Sequence, residues 1–237
     1  MPARTGSTRR GLVNAALLAG VLTGCSEAPS DDAKASASAS ASASASASAA
    51  ASADAKPAVA VSGGSIGAVG SACELPVTFD IAEGWKAEAV DAEAAMEKAG
   101  DSGSGIGGEL ADALLHQGPV TAACEVDAKP AGHIGYLRVW TGDPGEDDAR
   151  AVLEAFVAAE DGASRARYHT FRTGGLAGAE VEYLHTSELL DETKRERALA
   201  VTTSGGPVVL HLGGMDTEEH EAMLPAYELA KRTLRAG

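Results

Sequence analysis

Arg195-Glu196-Arg197-Ala198-Leu199-Ala200-Val201-Thr202-Thr203, then Ser204-Gly205-Gly206, then Pro207-Val208-Val209-Leu210-His211-Leu212, decides the fold. Two apolar runs of strand length flank a turn of small residues, the signature of a tight hairpin. Strands joined by so short a link are antiparallel. Outward from this hairpin, Tyr168 to Arg172 and Gly178 to Thr186 read as two further strands, while the charged link Ser187 to Lys194 reads as a projecting loop. Downstream, Asp216 caps a terminal helix, with Glu219 as the reciprocal capping residue. Met223, Tyr227, Ala230 and Leu234 are its buried seam, and Pro225 kinks it or marks where its regular part begins.

Upstream, Leu75 to Ile81 alternates apolar and polar and stops at Glu83-Gly84, with Trp85 closing the edge of the core. Short helices are expected over Ala92 to Ala99 and Glu109 to Gln117, with a glycine-rich mobile loop, Gly100 to Gly108, between them. That loop has neither the spacing nor the preceding strand of a dinucleotide site. Val120 to Val126 and His133 to Trp140 form a strand pair around Lys129-Pro130-Ala131-Gly132. The second strand is apolar on much of both faces, which calls for helices on both sides of the sheet. A longer helix is expected from Asp143-Pro144, Asp as cap and Pro at the first turn, to Gly162. The fold class is therefore α+β, an antiparallel sheet between helices.

The first 24 residues carry Arg4, Arg9 and Arg10, then an apolar run from Gly11 to Val21, too short to span a bilayer. Leu22-Thr23-Gly24-Cys25 resembles a bacterial lipobox, which implies cleavage before Cys25 and a diacylglycerol on its thiol. Thr8-Arg9-Arg10-Gly11-Leu12 resembles a twin-arginine signal, so both export routes stay open. Residues 25–72 are expected to be a lipidated, disordered tether, because the Ala-Ser alternation of Ala35 to Ala53 has no large side chain to bury. Such a coil spans roughly 40 Å, with a contour of about 160 Å. The globular domain is placed at 73–237.

The chain of 237 residues has a formal charge of −15, and loss of the signal makes it more acidic still. No basic stripe offsets this, which excludes nucleic acid as a partner. With Cys25 spent on lipid, Cys73 and Cys124 remain as an even pair in an oxidising compartment and are expected to be joined.

Phe79-Asp80-Ile81-Ala82-Glu83-Gly84-Trp85, the hairpin pair, the long helix, Gly178-Ala179-Glu180-Val181-Glu182-Tyr183 and Tyr227-Glu228-Leu229-Ala230-Lys231 together resemble the PsbP-like lipoproteins of bacteria. The resemblance implies an α/β/α sandwich used in protein association and assembly. No catalytic residue is assigned: the serines are read as including neither a Gly-x-Ser-x-Gly elbow nor a Ser-x-x-Lys, and no thiol stays free. Glu180 and Glu182 share a strand face and read as a solvated surface. His169, His185 and His211, each in or at the end of a strand, are the alternative, as ligands for zinc or copper. The expectation is a lipid-anchored, non-catalytic binding or assembly module with no cofactor and no bound metal. It would sit on the outer face of the cell membrane and bind an envelope protein or cell-wall component.

The anchor is open to direct test. Cys25→Ser should abolish incorporation of labelled acyl chains and move the protein out of the membrane fraction. Label retained on the variant would contradict the lipobox reading.

Overall fold

The computed structural model describes residues 58–101 and 105–237. Cys25, the signal segment and the Ala-Ser stretch lie outside the described residues. In chain order the elements are β1 (Ser62–Ile66), β2 (Val77–Ala82), β3 (Lys86–Ala89), α1 (Ala92–Asp101), α2 (Gly105–Leu115), β4 (His116–Gln117), β5 (Val120–Asp127), β6 (Gly135–Thr141), α3 (Ala149–Ala158), β7 (Ala163–Thr173), β8 (Leu176–Ser187), β9 (Glu192–Thr203), β10 (Gly206–Gly214), α4 (Thr217–Thr233) and β11 (Arg235–Ala236).

The large sheet is antiparallel, in the order β3-β5-β6-β10-β9-β8-β7, with β4 paired to β5. β10 lies at its centre, and all nine of its residues are buried because helices cover both faces. Val208, Leu210 and Leu212 join Leu199, Val201 and the α4 seam of Met223, Tyr227, Ala230 and Leu234. On the other face Val209, Ala198, Ala200 and Val181 pack under Val152, Leu153 and Phe156 of α3. A small sheet, β1-β2-β11, extends the α4-side core through Ile66, Val77 and Phe79. The expected architecture, an antiparallel sheet between helices, is the one found.

Local chemistry moves several boundaries. β1 lies inside the stretch read as tether, pairing with β2 from Ser62↔Ala82 to Ile66↔Phe79, so the fold begins well before Cys73. Its composition hides it, since small residues are there for close approach: a Cβ on Gly67, at φ 104°, would stand 1.9 Å from the Val77 carbonyl oxygen. α3 starts at Ala149, not after Asp143. Asp148 is the cap, its Oδ1 accepting the Ala151 N–H at 2.8 Å. The glycine-rich segment is shorter than expected, because α1 runs to Asp101 and α2 begins at Gly105. Half of the link from Ser187 to Lys194 is paired into β8 and β9, with Ser187 opposite Glu192, and the turn is confined to 188–191. α4 continues through Pro225, whose carbonyl accepts the Ala60 N–H at 2.9 Å. Asp216 caps it as expected, but the Glu219 carboxylate turns outward to the Ile134 N–H and to His133.

Cys73, in the loop before β2, is bonded to Cys124 in the middle of β5, with Cα atoms 6.0 Å apart and 51 residues of separation. Both are buried in the α4-side core. Closing a loop of that length removes unfolded-state entropy worth about 4 kcal/mol. Reduction, or the double Cys73→Ser, Cys124→Ser change, should therefore lower stability by about 2–4 kcal/mol in urea unfolding. A melting temperature that does not move on reduction would contradict this.

Candidate functional site

Polar side chains enter the interior where the apolar rows of β8, β9 and β10 end. On the α3 face, register places Tyr183 opposite Glu196, His185 opposite Lys194, and His211 opposite Ala198. With Glu160, just past the end of α3, Tyr183, His211, Glu196 and Lys194 make one continuous chain, with His185 beside it. Lys194 Nζ donates to the Gly214 carbonyl at 2.7 Å and pairs with Glu196 Oε1 at 2.8 Å. Glu196 Oε2 lies 2.9 Å from His211 Nε2, and that nitrogen is 3.2 Å from the Tyr183 hydroxyl. Tyr183 donates to Glu160 Oε2 at 2.5 Å, so its oxygen is left to accept, which puts the proton on His211 Nε2. The His211 ring is wedged edge-on against Phe156 and stacked on Tyr183.

Burial and pairing set the charges. Burial alone would raise the Glu196 pKa, but His211 and Lys194 outweigh it and hold the carboxyl below its usual value. Burial likewise works against the Lys194 charge, and Glu196 reverses it, so the ammonium titrates higher than usual. Tyr183 is pushed well above 10 by burial and by Glu160 and Glu196, and it stays a hydrogen-bond donor.

The α4 face carries a second network. Lys231 Nζ lies 2.6 Å from Glu180 Oε2 and 3.5 Å from Glu228 Oε1. Arg197 pairs with Glu182 and stands 3.8 Å from both Glu180 and Glu228. Toward the start of α4 this face opens into a groove of about 450 Å³ lined by Arg165, Arg167, Glu182, Arg195, Arg197 and His220, among others. Arg195 shares its charge with Glu221 at 3.3 Å. Arg165 and Arg167 are exposed and make no ion pair among the described residues. A bulge between Ser164 and Arg167 interrupts the β7–β8 register, and Arg165 takes the left-handed conformation, φ 55°. Bulges of this kind re-aim side chains. His220 is 3% exposed, and its Nδ1 has no hydrogen-bond partner among the described residues.

The structure divides the histidines read from the sequence. His185 and His211 sit on the α3 face in one cluster. His169, opposite Glu180 on β7, is exposed and belongs to the α4 face. The carboxylates near His185, Glu160 and Glu196, were missed because they belong to no motif. Alternation from Val181 through Tyr183 to His185 is the signal that one face of β8 turns polar. Glu180 is not on a solvated face: it is 7% exposed and tied to Lys231. Gly63-Gly64-Ser65-Ile66-Gly67 does have the Gly-x-Ser-x-Gly spacing, which the sequence reading passed over. It lies in the flat strand β1, where Ser65 Oγ donates to the Phe79 carbonyl, not in a strand-to-helix elbow.

A family model described as "Uncharacterised lipoprotein" matches residues 42–234, most of the chain, and the chain belongs to that family. Membership associates it with the cell envelope. No curated protein matches it. Among solved structures it is similar to the solution structure of cyanobacterial PsbP (CyanoP) from Synechocystis sp. PCC 6803. That similarity has 14% identity and a TM-score of 0.44, covering 73% of this chain and 98% of the other. A likeness at that level assigns no activity. Among the described residues no helix is long and apolar enough to cross a membrane.

His220 makes the fold sensitive to mild acid. Burial is the largest cause that lowers its pKa, from 6.5 to about 4. Arg197 and His211 add to the shift, while Glu196 and the Leu212 carbonyl oppose it. Between those values the unfolded chain binds the extra proton, so stability is full above about pH 6.5 and is lost as the pH falls toward 4, by about 3 kcal/mol. Urea unfolding at pH 7 and pH 4 should show that the native protein loses about 3 kcal/mol more than His220→Gln. Equal losses would show that this ring does not titrate low.

Proposed function

We propose that this chain is a lipid-anchored binding module of the cell envelope, held through Cys25 at the outer face of the cytoplasmic membrane. In this reading the groove beside α4 receives an anionic group of an envelope component. The observation that carries it is the pair Arg165 and Arg167, cations without an ion-pair partner among the described residues, aimed by a bulge into a groove that Arg195 and Arg197 also line. The chain as a whole is strongly acidic, at −15, so a convergence of arginines runs against its composition. Guanidinium groups recognise carboxylate and phosphate through paired N–H donors. A volume of about 450 Å³ is in the range of small-ligand pockets.

Titration of the full chain with carboxylated and with phosphorylated oligosaccharides tests the groove and separates the two anions. The double variant Arg165→Ala, Arg167→Ala, at exposed positions, should weaken binding by at least about tenfold and reduce its salt dependence. Binding that is unchanged in the variant, or absent with both probes, would contradict the proposal.

A further inference from the structure

On the opposite face of the sheet the geometry points to a second site. We propose that Glu160, His185 and Glu196 bind one divalent metal ion, of the zinc type. One ligating atom from each lies within 4.8 Å of the others. His185 Nε2 is 3.8 Å from Glu160 Oε1, too long for a hydrogen bond. Two atoms bound to the same tetrahedral zinc stand about 3.3 Å apart, given bonds of about 2.0–2.1 Å. Rotation of the partly exposed Glu160 and His185 side chains toward the buried Glu196 would bring the three atoms from within 4.8 Å of one another to that spacing.

The surroundings do what a metal site's outer groups do. Tyr183 holds Glu160 by Oε2 and leaves Oε1 toward His185. His211 holds Glu196 by Oε2 and Lys194 holds it by Oε1. Each carboxylate oxygen has two lone pairs, so Glu196 keeps both partners while giving a free pair to the ion. Ligand carboxylates fixed in this way are a general feature of metal centres. The His185 ring, by contrast, has no hydrogen bond among the described residues to account for its position: its buried Nδ1 is without a partner there, and its Nε2 stands 3.8 Å from Glu160.

The donor set selects the ion. Calcium and magnesium prefer all-oxygen cages, whereas an imidazole beside carboxylates suits zinc and its transition-metal neighbours. Three protein ligands leave a fourth position open to water or to a ligand atom. Lys194 neutralises one of the two carboxylates, so the cluster does not rely on a large excess of negative charge.

The test is calorimetric titration of the full chain, stripped by chelator, with Zn²⁺ and separately with Ca²⁺. Zinc should bind at one equivalent with submicromolar affinity, and calcium should give no saturable heat. His185→Ala and Glu160→Gln, at partly exposed positions, should each weaken zinc binding by at least about tenfold while leaving the far-UV circular dichroism unchanged. His169→Ala should bind like the native chain. Failure to bind zinc below about 10 µM, about −7 kcal/mol, would overturn the proposal. So would an affinity unchanged by both variants, or one lost equally with His169→Ala.

Discussion

The pairing register of β8, β9 and β10 is the constraint on which the rest depends. Side chains alternate between faces, so a slip of one residue would exchange every member of one face for the other. Here the two faces are not interchangeable. Leu199, Val201, Leu210 and Leu212 belong to the core under α4, and Ala198, Ala200 and Val209 to the thinner core under α3. A slip would drive Arg197 toward the site of Glu196 and turn the leucines onto a face packed for alanine. Such a change leaves charges buried without partners, which costs several kcal/mol per ion.

Both polar clusters follow from the same alternation. Along β9 the apolar run from Ala198 to Val201 is preceded by Arg197 and Glu196, one facing each helix layer. Arg197 turns to the α4 side and meets Glu182, while Glu196 turns to the α3 side and meets His211. Each helix then brings a residue at the end adjoining its cluster: Glu160 just beyond α3, and His220 in the first turn of α4. One end of the sheet thus carries two chemically different polar clusters, back to back. The arginine groove is suited to anions, and the Glu-His-Glu cluster to a cation.

The sequence made the sheet's two-sidedness legible because β10 and its partner strand are apolar in long runs around Ser204-Gly205-Gly206. The α4 seam was equally legible, as was the disulfide from an even cysteine pair. β1 was not, since Ser62-Gly63-Gly64-Ser65 has no strand propensity and is set by close packing against β2 and Glu83. The start of α3 was misplaced because Asp143 and Asp148 are both capable caps, and only tertiary placement decides between them. His169, His185 and His211 could not be sorted by face until register was known. The end of α3 brings Glu160, remote in sequence, beside Tyr183 and His185. Glu219 fits a capping box locally, yet the nearby Ile134 N–H and His133 claim its carboxylate.

Because both sites are consequences of register, cross-strand contacts by NMR are the most direct check. This register predicts backbone contacts between Val181 and Ala198, between Tyr183 and Glu196, and between Ala198 and His211. It also predicts ring contacts from His211 to Tyr183 and Phe156. Contacts displaced by one residue along β9, with Arg197 on the face of His211, would contradict it.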